Sequence, residues 1–349
     1  MVERTPPRPG EEAARTVREP AGFHLAAGLR SVAAMTYQST AWEPVRRHRG
    51  PVVYLAIACL GMWVAMSPLL ISGFRRGDVR EETGALAEAC ISAAMCAPAL
   101  AAFLVVRLVE PGGRVRDALA LRWPRPWRRG VRDCLLGLAV PAGLTVVALA
   151  LGSATGTYPL AELRWGPFLG WLGGMAVQVA VSLPLFFGEE LGWQGYLFPR
   201  LARGGGARLV TAYLLTGCAF ALWHLPTLLM GGQYPGRPWY VSVPAMLLSC
   251  TLVLPVFTWL RLRSDSVLPA VLAHAFVSTA SVGMVKQFAA PDAALDPLHM
   301  GLTGWPGWLA MGALVAVLAA TGRLRVPTTT PSPTGGASAS AGQRAVSGR

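Results

Sequence analysis

Apolar residues come in long, nearly unbroken runs separated by short polar stretches, and this pattern recurs eight times. The runs lie near 51–73, 84–106, 133–152, 167–190, 208–230, 239–260, 267–285 and 301–321. Each approaches the roughly 20 predominantly apolar residues that an α-helix needs to cross a bilayer. The pattern therefore predicts an all-α, polytopic membrane protein, a bundle of about eight transmembrane helices. The fourth and fifth runs differ from the others because ionisable residues interrupt them.

Polar and low-complexity sequence marks the two ends. Residues 1–50 are Pro- and Arg-rich with no apolar core of signal-peptide type, and are read as a disordered cytoplasmic tail. Residues 326–349, "VPTTTPSPTGGASASAGQRAVSGR", are too poor in apolar side chains to bury a core, and are read as a second tail. Between them the chain divides into N-terminal helices with a basic loop (51–165), a core carrying the interrupted runs (166–290) and a last helix (291–325).

Composition supports this reading. Hydrophobic residues make up 53% of the chain and charged residues only 14%, against about 25% charged in soluble domains. Net charge is +13, and its distribution accounts for it without nucleic acid as a partner. With both termini placed in the cytoplasm, the inner loops and helix ends hold eighteen arginines, eight of them between 107 and 132. The outer loops hold six basic residues, Arg75, Arg76, Arg80, Arg164, Arg237 and Lys286. This is the positive-inside asymmetry of a multi-pass protein of the cell membrane. The "RWPRPWRRGVR" stretch reads as a juxtamembrane anchor for anionic lipid headgroups. The six cysteines lie in or beside apolar runs with no CxxC pair, and form neither a disulfide framework nor a thiolate metal site.

Ionisable side chains within the runs are expensive, at roughly 2.5–3.5 kcal/mol each at a helix centre, and are functional candidates for that reason. Four stand out: Glu189 and Glu190 in "LPLFFGEELGWQGYLFPRL", His224 in "FALWH" and His274 in "LPAVLAHAFVS". Apolar residues resume directly after the glutamates, so the helix is expected to continue one to three turns beyond them. Neighbouring carboxylates in a low dielectric cannot both ionise cheaply, which suits one of them to proton transfer. Successive helical residues diverge by about 100°, so the two glutamates should do different work: one faces a reacting water, the other supports. Two histidines and a glutamate can hold a catalytic zinc with an open position. They can equally activate water without metal. Phe220 and His224, like His274 and Ser278, are spaced i, i+4 and fall on one helical face. Ser278 could instead bond a helix carbonyl. The run "GWLGGM" (170–175) suits either close helix packing or lipid-facing filler. "MGGQYPGRPW" should be irregular, and the glycines of "LARGGGARL" should break the chain between the fourth and fifth runs.

In this order, and in separate runs, the three motifs resemble those of the CPBP family, the CAAX proteases and bacteriocin-processing enzymes also called Abi proteins, which include the type II CAAX prenyl endopeptidases. The family pattern is EExxxR, FxxxH and HxxxN, and the resemblance covers roughly 180–285. It implies an intramembrane endopeptidase. Glu189 would activate water, Glu190 would be the second glutamate, and His224 and His274 would line the site and could bind Zn2+, with Phe220 as the aromatic of the second motif. The substrate would be a membrane-associated peptide or protein. Gln194 stands where the pattern has arginine, and Ser278 where it has asparagine; both weaken the inference to prenyl-CAAX specificity. Two other readings are a non-enzymatic immunity or regulatory partner and a proton-coupled transporter.

Overall fold

The computed structural model describes residues 43–162, 164–203 and 207–325. The chain divides into two units, Met1–His48 and Arg49–Arg349. In the first, only residues 43–48 are described, and they are helical; the second unit holds all the other described residues and the whole of the candidate site. Both expected tails fall largely outside the described residues. The boundary set at residue 50 falls inside a helix, which begins at Glu43.

Among the described residues the fold is helical, with no strand beyond one isolated bridge, Leu160 to Ala289. The main helices are α1 (Glu43–Ile71), α2 (Ala85–Val109), α3 (Trp127–Ala154), α4 (Trp165–Leu201), α5 (Ala207–Trp223), α6 (Trp239–Ser264), α7 (Leu268–Gln287) and α8 (Trp305–Ala320). They follow the eight apolar runs in order. Six are long and apolar enough to cross a membrane: α1, α2, α3, α4, α6 and α7. The apolar parts of α5 and α8 are shorter. At 1.5 Å per residue, the 16 residues of α8 rise about 24 Å, less than the ~30 Å hydrocarbon thickness. The structure thus supports a polytopic all-α membrane protein, with six helices among the described residues long and apolar enough to span.

Local sequence explains the interruptions. Pro226 lacks the N–H that would continue α5, so the helix breaks at His224 and a short helix, Leu225–Leu229, follows with proline near its start. Residues 230–238 are irregular, as their Gly and Pro content predicts. The glycines at 204–206 lie outside the described residues.

Two π-helical segments matter for the site. Leu191–Leu197 follows the glutamates directly, and Phe276–Ser281 begins two residues after His274. Such segments often accompany functional sites, because one extra residue per turn re-aims the side chains around it. α4 continues through its π segment to Leu201, so the glutamates do not mark a helix end. The inner part of α4 presses against α2 through glycines. A Cβ on Gly188 would stand 2.9 Å from the carbonyl oxygen of Met95, and one on Gly192 3.0 Å from that of Pro98. The "GWLGGM" run does not pack this way. Around Gly170, Gly173 and Gly174 an added Cβ meets nothing within 4 Å, which favours the lipid-facing alternative.

Candidate active site

Glu189 and Glu190 close the regular part of α4 and are only 3% and 1% exposed. Their adjacent positions send them to different neighbours. Glu190 accepts a hydrogen bond from His274 Nδ1 of α7 at 2.9 Å, which joins α4 to α7. The Glu189 side chain has no hydrogen-bond partner among the described residues and lines a cavity of about 410 Å³. Each glutamate also keeps its Oε2 enclosed and without a partner. Buried polar atoms are rarely left so, and a water or a substrate N–H is the kind of group that completes them.

His224 sits at the break after α5, and its Nδ1–H donates to the Phe220 carbonyl at 2.8 Å. Because a carbonyl can only accept, this bond places the proton on Nδ1 and leaves Nε2 as a lone-pair acceptor in the neutral ring. His274, with Nδ1 held by Glu190, also keeps Nε2 for other work. Both histidines line the cavity with Glu189 and Phe220.

Aromatic rings fix this arrangement. Phe220 lies between the two histidines, its ring centre 5.0 Å from that of His224 and 5.5 Å from that of His274. Phe186 of α4 and Phe257 of α6 flank His274 at 4.7 and 5.3 Å. Trp193 packs on Phe220 at 5.3 Å and on Tyr54 of α1 at 5.7 Å. Trp223 ties the break to α1 by donating from Nε1 to the Ala58 carbonyl at 3.1 Å. Five helices thus hold two imidazoles in place. Of these residues the sequence motifs singled out only Phe220. Phe186 carried one legible signal, its position one turn before Glu190; nothing in the sequence marked Phe257 or Tyr54.

The two residues that depart from the family pattern separate in space. Ser278 lines the cavity, one turn beyond His274, and does not take up the helix-carbonyl bond. Gln194 does not line it. The π turn carries Gln194 away from the register it would share with Glu190 in a regular helix. It is fully buried against α6, where its Oε1 accepts from Thr258 Oγ1 at 3.0 Å and its backbone carbonyl from Arg261 Nε at 2.9 Å. The Arg261 guanidinium of α6 therefore meets the backbone at position 194, while the side chain at 194 meets Thr258. No sequence signal pointed to Arg261.

His224 and His274 were the residues expected to ligate zinc. Among the described residues no three His, Cys, Asp or Glu side chains are grouped so that a metal could be held between them. The donors as they stand do not form a closed ligand set.

Comparison with known proteins bears on the same stretch. Residues 168–280 match the family model described as type II CAAX prenyl endopeptidase Rce1-like. The match takes in all three motifs, the glutamate pair and both histidines, and agrees with the family that those motifs resemble. No curated protein matches the chain, and no solved structure does.

Proposed function

We propose that this protein is an intramembrane endopeptidase that hydrolyses a peptide bond of a membrane-associated polypeptide with a glutamate-activated water. The observation that carries the reading is the pairing of an unbonded Glu189 on the cavity wall with a neighbouring Glu190 already committed to His274.

Each residue has its own share of the work. A water in the cavity gives a proton to Glu189 as its oxygen attacks the scissile carbonyl carbon. His224 Nε2 accepts a hydrogen bond from the second O–H of that water, which stays on the oxygen, and so aims the attacking lone pair. The carbonyl oxygen becomes an oxyanion, and His274 donates to it from Nε2 when that nitrogen carries a proton, with Glu190 anchoring the opposite side of the ring. As the tetrahedral intermediate collapses, the C–N bond breaks and Glu189 returns its proton to the leaving amine. General acid–base catalysis of this kind contributes about 100- to 10,000-fold, and donors arranged around a developing oxyanion add to it.

The arginine distribution supports a location in the cell membrane with both termini in the cytoplasm. Substrate identity follows from the cavity only in class: an extended, mainly apolar segment. The test is cleavage of a panel of membrane-inserted fluorogenic peptides by the purified protein in proteoliposomes, wild type against Glu189→Gln. Cleavage by the wild type and its loss in the variant, with an unchanged elution profile in detergent, supports the reading; undiminished cleavage by the variant sinks it.

A further inference from the structure

The cavity is one-sided. Its lining is weighted toward the end away from the arginine-rich loops and stops at the layer of Glu189, Phe257 and His274. α1 contributes Met62 to Leu69, near its end at Ile71. α2 contributes from Ala87 to Met95, near its start. α5 contributes only its last turn, Phe220 and Trp223. α6 reaches no further than Phe257, and α7 begins at His274. Three loops complete the wall, represented by Arg76, Gln233 and Thr303. All three belong to the arginine-poor end, where the chain carries six basic residues against eighteen at the other.

The opposite end is sealed. Below the layer of Glu189 and His274, Trp193, Tyr196 and Leu197 are fully buried. Gln194 is bonded to Thr258 and Arg261. Glu110 takes hydrogen bonds from Tyr196 at 2.9 Å and from Arg200 at 3.2 Å. No described residue of the arginine-rich loops lines the cavity. A water or peptide coming from that side would have to part these contacts. From the other side, Gln233 and Thr83 are only half-buried on the cavity wall.

We propose that the cavity admits its substrate, an apolar polypeptide segment, from the arginine-poor face, so that this protein acts on chains presented on that side of the membrane and not on tails delivered to the arginine-rich side. By the positive-inside rule the arginine-poor face is the non-cytoplasmic one. The proposal rests on the endopeptidase reading for the word substrate, but its geometry does not depend on turnover.

The test reads access directly. Three variants are made in the otherwise native chain: Ser278→Cys on the cavity wall, Gln233→Cys at the mouth and Arg323→Cys at the far end. Each is treated with a membrane-impermeant quaternary-ammonium methanethiosulfonate, in intact cells and in inside-out vesicles. Modification at each site is read by peptide mass spectrometry, so the six native cysteines stay in place. Gln233→Cys and Arg323→Cys define the two faces. Ser278→Cys is expected to react at least tenfold faster from the face of Gln233→Cys. Faster reaction from the face of Arg323→Cys, equal rates from both, or no reaction from either would overturn the proposal. Intact cells also assign the faces: Gln233→Cys should be modified there and Arg323→Cys should not. If the peptide panel is never cleaved while Ser278→Cys shows this one-sided access, the enzymatic reading fails and the cavity assignment stands. Cleavage combined with access from the arginine-rich side gives the reverse.

Discussion

The two halves of α4 have similar apolar composition and opposite fates. Over its first half, Leu169, Leu172, Val177 and Val181 are 48–73% exposed, and the glycines have open space around them. From Phe186 to Phe198 every residue but Phe187 is buried, two glycines touch the α2 backbone, and both carboxylates are enclosed. In water such exposure of the first half would be prohibitive; in lipid it costs nothing, because acyl chains solvate leucine as well as a protein core does. What distinguishes the inner half is polar chemistry and close backbone approach. Hydrophobicity identifies α4 as a span but does not say which half works.

The contrast can be tested at several strengths. The largest effect is chemical. Glu189→Gln should lower cleavage about 100- to 10,000-fold, while Gln178→Ala, exposed in the outer half, should leave it unchanged; steady-state kinetics of the two variants decides. Next comes Glu190→Gln. It weakens a charge-assisted hydrogen bond to His274, worth about 1.5–3 kcal/mol, so kcat should fall roughly 10- to 100-fold with KM little altered. A change in KM alone would contradict the anchoring role.

Packing gives a smaller difference. Gly188→Ala, whose Cβ would meet the Met95 carbonyl at 2.9 Å, should destabilise by about 1–3 kcal/mol. Gly170→Ala should shift stability by no more than about 0.5 kcal/mol. Thermal unfolding in detergent measures both, and equal shifts would erase the distinction between the halves. Gln194→Arg puts in the arginine of the pattern the motifs resemble, yet brings a second guanidinium beside Arg261. It should also destabilise by about 1–3 kcal/mol, and a rise in stability would show that the packing around position 194 accommodates a second guanidinium.

The smallest effect lies in the loop before α8, which helps wall the cavity. Asp296 is partly buried, which works to raise its carboxyl. Hydrogen bonds from the Leu298 N–H, Arg237 and His299 more than offset this and hold it below the usual aspartate value of 3.8. A depressed carboxyl stabilises the fold above its unfolded value and loses that contribution as pH falls through the folded one. The loop should therefore keep its protection in hydrogen exchange at neutral and mildly acidic pH and loosen only below about 3.8. Asp296→Asn should loosen it at neutral pH, by a modest amount because solvent reaches the pair with Arg237.

Much of the molecule was legible in its sequence, for reasons that differ by residue. The helices could be read because a bilayer demands runs of apolar residues of a set length, and the chain has no other use for them. Glu189, Glu190, His224 and His274 could be read because ionisable groups in such runs are costly and rare. The close-packing reading of "GWLGGM" failed for a related reason: small residues permit close approach on any face, and composition does not say whether a partner helix is there. Arg261, Phe257 and Tyr54 were illegible because an arginine near a helix end and aromatics in apolar helices are ordinary until the fold brings them against Gln194, His274 and Trp193.

The sequence alone therefore determined the solvent, the class of fold and the groups capable of chemistry, because each follows from local transfer energies along the chain. The tertiary structure decided what depends on direction. It assigned Glu189 to the cavity and Glu190 to His274, turned Gln194 away through a π-helical turn, and drew the cavity lining from one end of the helices. Those outcomes depend on a rotation of about 100° between adjacent side chains and on one extra residue in a turn, and such angles are set only when five helices pack against one another.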